Sequence, residues 1–452
     1  MKAGFGEVVV TPPLGTGMAG DFTARRAEGI LDDLYSRALV VSEGDVHVAL
    51  VVTDLIYVPD ADVAAMKERV TAATGIPGDH ILLAATHTHT GPITVAKPGF
   101  HRDDEAMTTW VRLTAGAVEM AFRRRTEVKV AAGRGSLPGV AFNRRYRMKN
   151  GRVFTNPGLG NPDIIEAAGP VDPEVVVLRF DDLEGRPVGI LTSFSCHCDT
   201  VGGSMFSADW VGVAAATLRR IFAGMPLGKT EAQSRGPGGI QLPPDGGGVN
   251  QLGVVVVNTA SGDINHFNVF SGKPGWPGAT YQIGVGLAAE TARVAVTLKP
   301  EPCSALGAAA RRITLQRIPL EQFVAESKAA LADPRTGRME ARRAEANLSY
   351  ASFYAEEPPQ AEAEVICLRI GPVLISGCPG EMSCELGLAF KKEVPAPYAF
   401  MANLANGYHG YIPAARAYEE GGYENRSARY VPGTGELMVT TAVELAKELW
   451  NE

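Results

Sequence analysis

The sequence predicts an α/β protein in which mixed β-sheets are flanked by helices, and three observations carry that expectation. Apolar runs of strand length alternate with segments of helical spacing along all 452 residues. Four of the strand-like runs end at residues able to do chemistry: His87, His197, Asp263 and Glu381. A chain of this length exceeds one ordinary core, so two intertwined lobes or two domains are expected.

The elements follow in order. Glu7-Val8-Val9-Val10 reads as a first strand, entered directly from the N-terminal Met1-Lys2-Ala3-Gly4-Phe5-Gly6 with no leader-like segment. Residues 47–52 and 81–85 are apolar runs that read as buried strands, and 60–74 between them has helical spacing. Residues 104–125 form a long amphipathic helix, 175–180 and 189–195 neighbouring strands, and 209–223 a helix. Residues 224–253, rich in Gly and Pro and without periodicity, read as a long loop, a class that is usually functional. A strand at 254–257, helices near 281–298, 318–332 and 336–355, a strand at 373–376 and a closing helix at 435–450 complete the pattern. No internal repeat or low-complexity tract is visible.

Composition is that of a globular chain: 45% hydrophobic, 21% charged, net charge −7. An acidic balance without a basic stripe argues against nucleic acid, and Arg123-Arg124-Arg125 reads as a solvated helix end. No apolar run has bilayer-spanning length, so no membrane partner is expected. The expected partner is a small-molecule substrate, and symmetric homodimers are common among soluble enzymes of this size. The six cysteines are sparse, and free thiols in a reducing cytoplasm are expected.

The chemistry-bearing residues leave alternatives open. His87 and His89 stand two apart, which in an extended segment turns both imidazoles to one face. Imidazole is the usual zinc ligand, but two loop histidines also serve simply as hydrogen-bonding groups. In Cys196-His197-Cys198 a strand would turn the cysteines away from His197. His197 is then either a ligand or a satisfied core histidine, and the cysteines are small buried apolar groups. Glu381, after Pro379-Gly380, is a ligand, a general base or an acid at a helix start. Asp54, Asp199 and Asp263 have weaker claims, and Asp209 reads as a helix start. There is no Gly-x-Ser-x-Gly elbow and no dinucleotide fingerprint, and the Gly-rich stretch near 236–248 lacks the Gly-Lys-Ser/Thr ending of a phosphate loop.

Taken together, these segments resemble the neutral (non-lysosomal) ceramidase family in its N-terminal catalytic part. The matching stretches are Thr86-His87-Thr88-His89-Thr90-Gly91-Pro92, Asn143-Arg144, Phe194-Ser195-Cys196-His197, Pro379-Gly380-Glu381, Asn406-Gly407-Tyr408-His409-Gly410-Tyr411 and Tyr423-Glu424. They occur in the family's order and span nearly the whole chain. The resemblance implies one ceramidase-like domain over 1–452, without the family's C-terminal β-sandwich. It implies Zn²⁺ held by His87, His197, Glu381 and Tyr411. Catalytic roles would fall to His89, Arg144 and Tyr423, and substrate contacts to Thr259 and Asp263. Thr259, or Asn258, stands where the family has a serine.

The implied activity is zinc-dependent hydrolysis of the amide (C–N) bond of a small N-acyl or cyclic amide. A zinc-dependent esterase or lactonase and a zinc-dependent lyase or isomerase are the alternatives. Long-chain ceramide is disfavoured as a substrate. A non-catalytic zinc protein would close the metal with four protein ligands, whereas His89, Arg144 and Tyr423 suit an open site.

Overall fold

Three mixed sheets share one plan. In the first, β1 (Lys2–Val9), β2 (Tyr35–Glu43) and β3 (Val46–Thr53) pair antiparallel, and β4 (Ile81–Ala85) joins β3 in parallel. In the second, β5 (Lys129–Ser136), β6 (Glu174–Asp181) and β7 (Pro187–Phe194) are antiparallel, and β8 (Gly253–Asn258) lies parallel to β7. In the third, β9 (Leu306–Gln316), β10 (Gln360–Ile370) and β11 (Val373–Gly377) are antiparallel, and β12 (Tyr398–Ala402) is parallel to β11. The computed structural model describes residues 1–223, 252–271 and 278–451. Most of the loop expected at 224–253 therefore lies outside the described residues; its last two positions are buried, and Gly253 opens β8.

Alternation along the strands assigns each sheet two apolar faces. Leu39, Val41, Val48 and Leu50 of the first sheet, Val176, Leu178, Val255 and Val257 of the second, and Ile366, Leu368, Ile375 and Phe400 of the third share one core. The opposite faces are covered by helices. Val40, Val51 and Leu83 pack beneath α1 (Asp60–Thr74) and α2 (Asp104–Arg123). Val175, Val177 and Val256 pack beneath α3 (Asp209–Ala223) and α4 (Ala279–Ala295). Between β9 and β10 the chain inserts α5 (Leu320–Ala332) and α6 (Arg338–Ser349), then a single turn at Ala351–Tyr354. The third sheet carries α7 (Cys384–Glu393) and α8 (Thr434–Asn451) on Val365, Leu374 and Met401.

This is the expected mixed α/β architecture, built as three sheet-and-helix units around a common core. Each unit makes its parallel pair by crossing over a helix, as parallel strands require: β3–α1–β4, β7–α3–β8 and β11–α7–β12. The carboxyl ends of these strands deliver His87, His197, Asp263 and Glu381. Helices 60–74 and 209–223 stand where the spacing put them, while the helix expected at 336–355 breaks after Ser349. All six cysteines are free. Among the described residues no helix is long and apolar enough to cross a membrane.

The N-terminal strand is fitted to its surroundings by glycines. Gly4 and Gly6 lie on one face of β1, where a Cβ would stand 2.1 Å from the backbone oxygens of Ala121 and Ala117 in α2. No side chain can give way there, because the obstacle is helix backbone. Gly6→Ala is therefore expected to cost about 3 kcal/mol, the upper end of the usual overpacking range, read as a lower denaturant midpoint at unchanged slope. A loss below about 0.5 kcal/mol, the scatter of surface substitutions, would refute this close approach.

Candidate metal centre and its cavity

The chain leaves β4 into Thr86 and then turns sharply. His87 has φ of 70°, a left-handed conformation held by its own N–H donating to Leu55 O at 2.9 Å. The segment is thus not extended, yet the two imidazoles still meet: His87 and His89 bring their Nε2 atoms within 3.3 Å. His197, at the end of β7, places its Nε2 3.2 Å from that of His87. Glu381, after β11, places Oε2 3.3 Å from His87 Nε2 and 3.7 Å from His197 Nε2. Tyr411 pairs beside Glu381 in a short parallel ladder.

The tautomers follow from the backbone. His87 Nδ1 faces Ile56 O at 2.8 Å, His197 Nδ1 faces Ser261 O at 2.8 Å and His89 Nδ1 faces Gly20 O at 3.0 Å. A carbonyl only accepts, so each Nδ1 carries the hydrogen and each neutral ring turns an Nε2 lone pair toward the others. Three lone pairs then converge: that of His197 accepts from an Arg144 terminal nitrogen at 3.1 Å, those of His87 and His89 face each other with no donor between them, and the buried Glu381 Oε2 has no hydrogen-bond partner. Such a set is satisfied by a cation, either a proton on one ring or a metal ion. The ring nitrogens of His87, His89 and His197 lie within 4.8 Å of one another, close enough for one ion. Backbone carbonyls orienting the far nitrogens is the usual outer support of metal-binding imidazoles. The residues fit a divalent ion on these grounds.

Electrostatics agree with that picture. Burial disfavours a charged His87, but Glu381 overrides it and raises its pKa. Burial and the Arg144 guanidinium push His197 well down. Burial, with His87 beside it, takes His89 down to about 4. Glu381 is held at about 2, because the neighbouring imidazoles and Tyr411 outweigh the burial that alone would raise it. His89 and His197 are therefore neutral and Glu381 ionised at pH 7.

Arg144 closes the site from the second unit. Its Nε donates to Glu424 at 2.6 Å, and one terminal nitrogen donates to Gly262 O at 2.8 Å and to the Tyr411 hydroxyl at 3.0 Å. The other terminal nitrogen lies 3.1 Å from His197 Nε2. Glu424 also accepts from Thr155 Oγ1 at 2.6 Å. The Tyr423 ring stands edge-on to Tyr411 at 5.5 Å and 5.6 Å from the guanidinium carbon.

A cavity of about 510 Å³ opens onto this cluster and is lined by His87, His89, Arg144, Glu381, Tyr411 and Tyr423. His197 lies behind His87 and is fully buried. Asp263 and Thr259 do not reach the cavity wall. Asp263 is buried, accepting from Asn143 Nδ2 at 2.8 Å and Cys384 N at 2.7 Å, while its carbonyl accepts from Arg144 N at 2.8 Å. It thus holds the Asn143-Arg144 turn in place. Thr259 bridges to Ala402 between the second and third units. Cys196 and Cys198 belong to the apolar core under α3.

Sequence reasoning missed Lys97 and Arg343, which also line the cavity. Arg343 stands in a polar helix that reads as solvated, and Lys97 in a loop; neither offers a local signal. Tyr57, stacked on Tyr408 with ring centres 3.5 Å apart, was likewise invisible because it pairs residues 351 positions apart in sequence.

Comparison with known proteins places the chain among relatives. The family model described as "Neutral/alkaline non-lysosomal ceramidase, N-terminal" matches residues 2–231. Its structure is similar to that of the neutral ceramidase from Pseudomonas aeruginosa, with a TM-score of 0.73 at 20% identity, covering 100% of this chain and 74% of that one. A structure titled "Ceramidase complexed with C2" gives 0.69 at 18% identity, covering 100% and 75%. At these identities the structural likeness concerns the fold.

Proposed function

The chain belongs to the neutral/alkaline non-lysosomal ceramidase family, and from that premise we propose that it is a zinc-dependent hydrolase of the amide bond in a small N-acyl or cyclic amide. The observation that carries this reading is the convergence of three imidazole nitrogens and the unpartnered Glu381 Oε2 at one end of a cavity. A volume of about 510 Å³ suits a compact ligand.

In this reading His87, His197, Glu381 and Tyr411 hold the zinc ion. The bound ion would supply Lewis acidity, polarising a carbonyl and acidifying a water. Arg144, kept charged by Glu424, presents a fixed guanidinium toward the carbonyl oxygen as negative charge develops on it. The Tyr423 hydroxyl adds a second donor from the cavity wall. His89, neutral through burial, accepts a proton from the attacking water at Nε2 and returns it to the departing nitrogen. Water's oxygen bonds to the acyl carbon, the C–N bond breaks, and the amine leaves protonated.

His89 is the residue on which metal ligation and proton transfer must be separated, since its Nε2 sits at 3.3 Å from that of His87. The test is turnover of N-acyl amides in water labelled with heavy oxygen, with zinc content measured for wild type and His89→Gln. One solvent oxygen is expected in the acid product. The variant is expected to keep its zinc and lose about 10²–10⁴-fold in kcat, the usual worth of a general acid–base. Product without solvent oxygen would point to a lyase or isomerase, turnover of esters or lactones alone to the esterase reading, and loss of zinc from the variant to His89 as a ligand.

A further inference from the structure

Two cations on the cavity wall have no counter-charge among the described residues. Arg343 projects from α6 and Lys97 from the loop after the His-Thr-His segment, and both line the cavity. Arg343 Nε is buried without a hydrogen-bond partner. Among the described residues neither side chain makes an ion pair or a hydrogen bond; Lys97 has only the Tyr57 ring, 5.8 Å from Nζ.

The acids lining the same cavity are all engaged elsewhere. Glu381 faces His87 and His197. Glu357 pairs with Arg317 at 3.3 Å and with Arg429 at 3.2 Å. Asp60 faces His409 at 3.4 Å and Asp199 faces His266 at 3.1 Å. Asp21 is turned into its own loop by Thr23. Among the described residues nothing therefore neutralises Arg343 and Lys97, although a half-buried cation without a partner is costly. Burial, together with the positive charge of Arg343, lowers the pKa of Lys97, so the two cations oppose rather than relieve each other.

Resting on the amide-hydrolase reading, we propose that the substrate carries an anionic group, a carboxylate, which Arg343 and Lys97 bind while its amide lies at the histidine cluster. The guanidinium fork suits a carboxylate edge-on, and the ammonium adds a compact second charge. The stacked Tyr57 and Tyr408 supply an apolar flank for the rest of the molecule. The substrate class is then that of N-acyl amino acids and related acidic amides, and neutral lipid-like amides are disfavoured because they would leave both cations unpaired.

The test is calorimetric binding of matched pairs at pH 7: N-acetylphenylalanine, N-acetylleucine and N-butyrylglycine, each against its carboxamide. Each pair is titrated into zinc-loaded and chelator-treated wild type, and into Arg343→Met and Lys97→Met. Since among the described residues neither wild-type side chain has an ion pair or hydrogen bond to lose, both variants should fold, which melting curves check. At least one acid is expected to bind tenfold or more tightly than its amide in both metal states, and each variant is expected to cut that preference threefold or more. Equal binding of all acids and amides, no binding of any, or a preference that survives both variants or vanishes with the metal overturns the assignment. Turnover of the same pairs is read separately: acid preference without hydrolysis of any of them overturns the amidase reading and leaves the anion site standing.

Discussion

Replacing His87 by alanine is expected to empty the metal centre and lower turnover by on the order of 10³-fold. His87 is the hub of the cluster, with His197, His89 and Glu381 each within 3.3 Å of its Nε2. Without it, the proposed ligand set falls to His197, Glu381 and the weak phenol ligand Tyr411, which holds an ion less firmly. Lewis acidity is worth several kcal/mol of barrier, and about 1.4 kcal/mol corresponds to tenfold in rate. Elemental analysis and kcat/KM on the same preparation check both halves. A preparation of His87→Ala that retains one ion per chain and turns over within tenfold of wild type would remove His87 from the centre. His87→Gly offers an internal control: it loses the same ligand but relieves the left-handed backbone at φ 70°, so it should be more stable than His87→Ala by about 1–2 kcal/mol.

The second large effect is expected at Arg144, where activity and stability should separate. Arg144→Met removes the fixed positive charge next to the cluster, and loss of one such electrostatic element costs about 10²–10³-fold in kcat. It also strands the buried Glu424. Breaking a buried ion pair costs about 3–5 kcal/mol; the lower figure is expected, because Thr155 Oγ1 still donates to Glu424 and Arg145 Nε lies 3.8 Å away. Adding Glu424→Gln removes the stranded charge. The double variant should regain most of the stability in denaturant titrations and none of the turnover. Recovery of turnover along with stability would show Arg144 to be structural only.

The strands that carry the site were legible because parallel strands buried on both faces read as continuous apolar runs. Ile81–Ala85 and Gly253–Asn258 are buried at every position and stand where the runs predict, each leading into a site residue or its support. The longest pair, β9 and β10, left no such trace. Their residues, LGAAARRITLQ and QAEAEVICLRI, are rich in Ala, Arg and Glu, which favour strands poorly. They are ordered by an eleven-residue antiparallel ladder whose partners are separated by two helices and a turn. Local propensity is silent about such pairing. The residues that converge at the cavity were legible through the ends of strands and through resemblance. The spacing argument for His87 and His89 assumed an extended backbone, whereas the structure joins them through a left-handed turn. Lys97 and Arg343 stayed hidden because a charged residue in a polar segment looks solvated until the tertiary fold encloses it.

The residues of the candidate centre come from all three sheet-and-helix units, His87 from the first, His197 from the second, Glu381 and Tyr411 from the third, and its supporting contacts reach from Gly20 to Glu424. That spread has a consequence for the order of events during synthesis. At about 5–20 residues per second, tens of seconds separate the emergence of His87 from that of Glu424. Until His197 emerges the His-Thr-His segment is a bare two-imidazole chelate, to which copper or nickel would bind more tightly than zinc or manganese. Only when Glu381, Tyr411 and the Arg144–Glu424 clamp arrive does the cage acquire its shape. If the site holds a metal as proposed, choice among ions would thus fall to the assembled protein, and an ion captured early would have to be tolerated by the finished cage or given up to it.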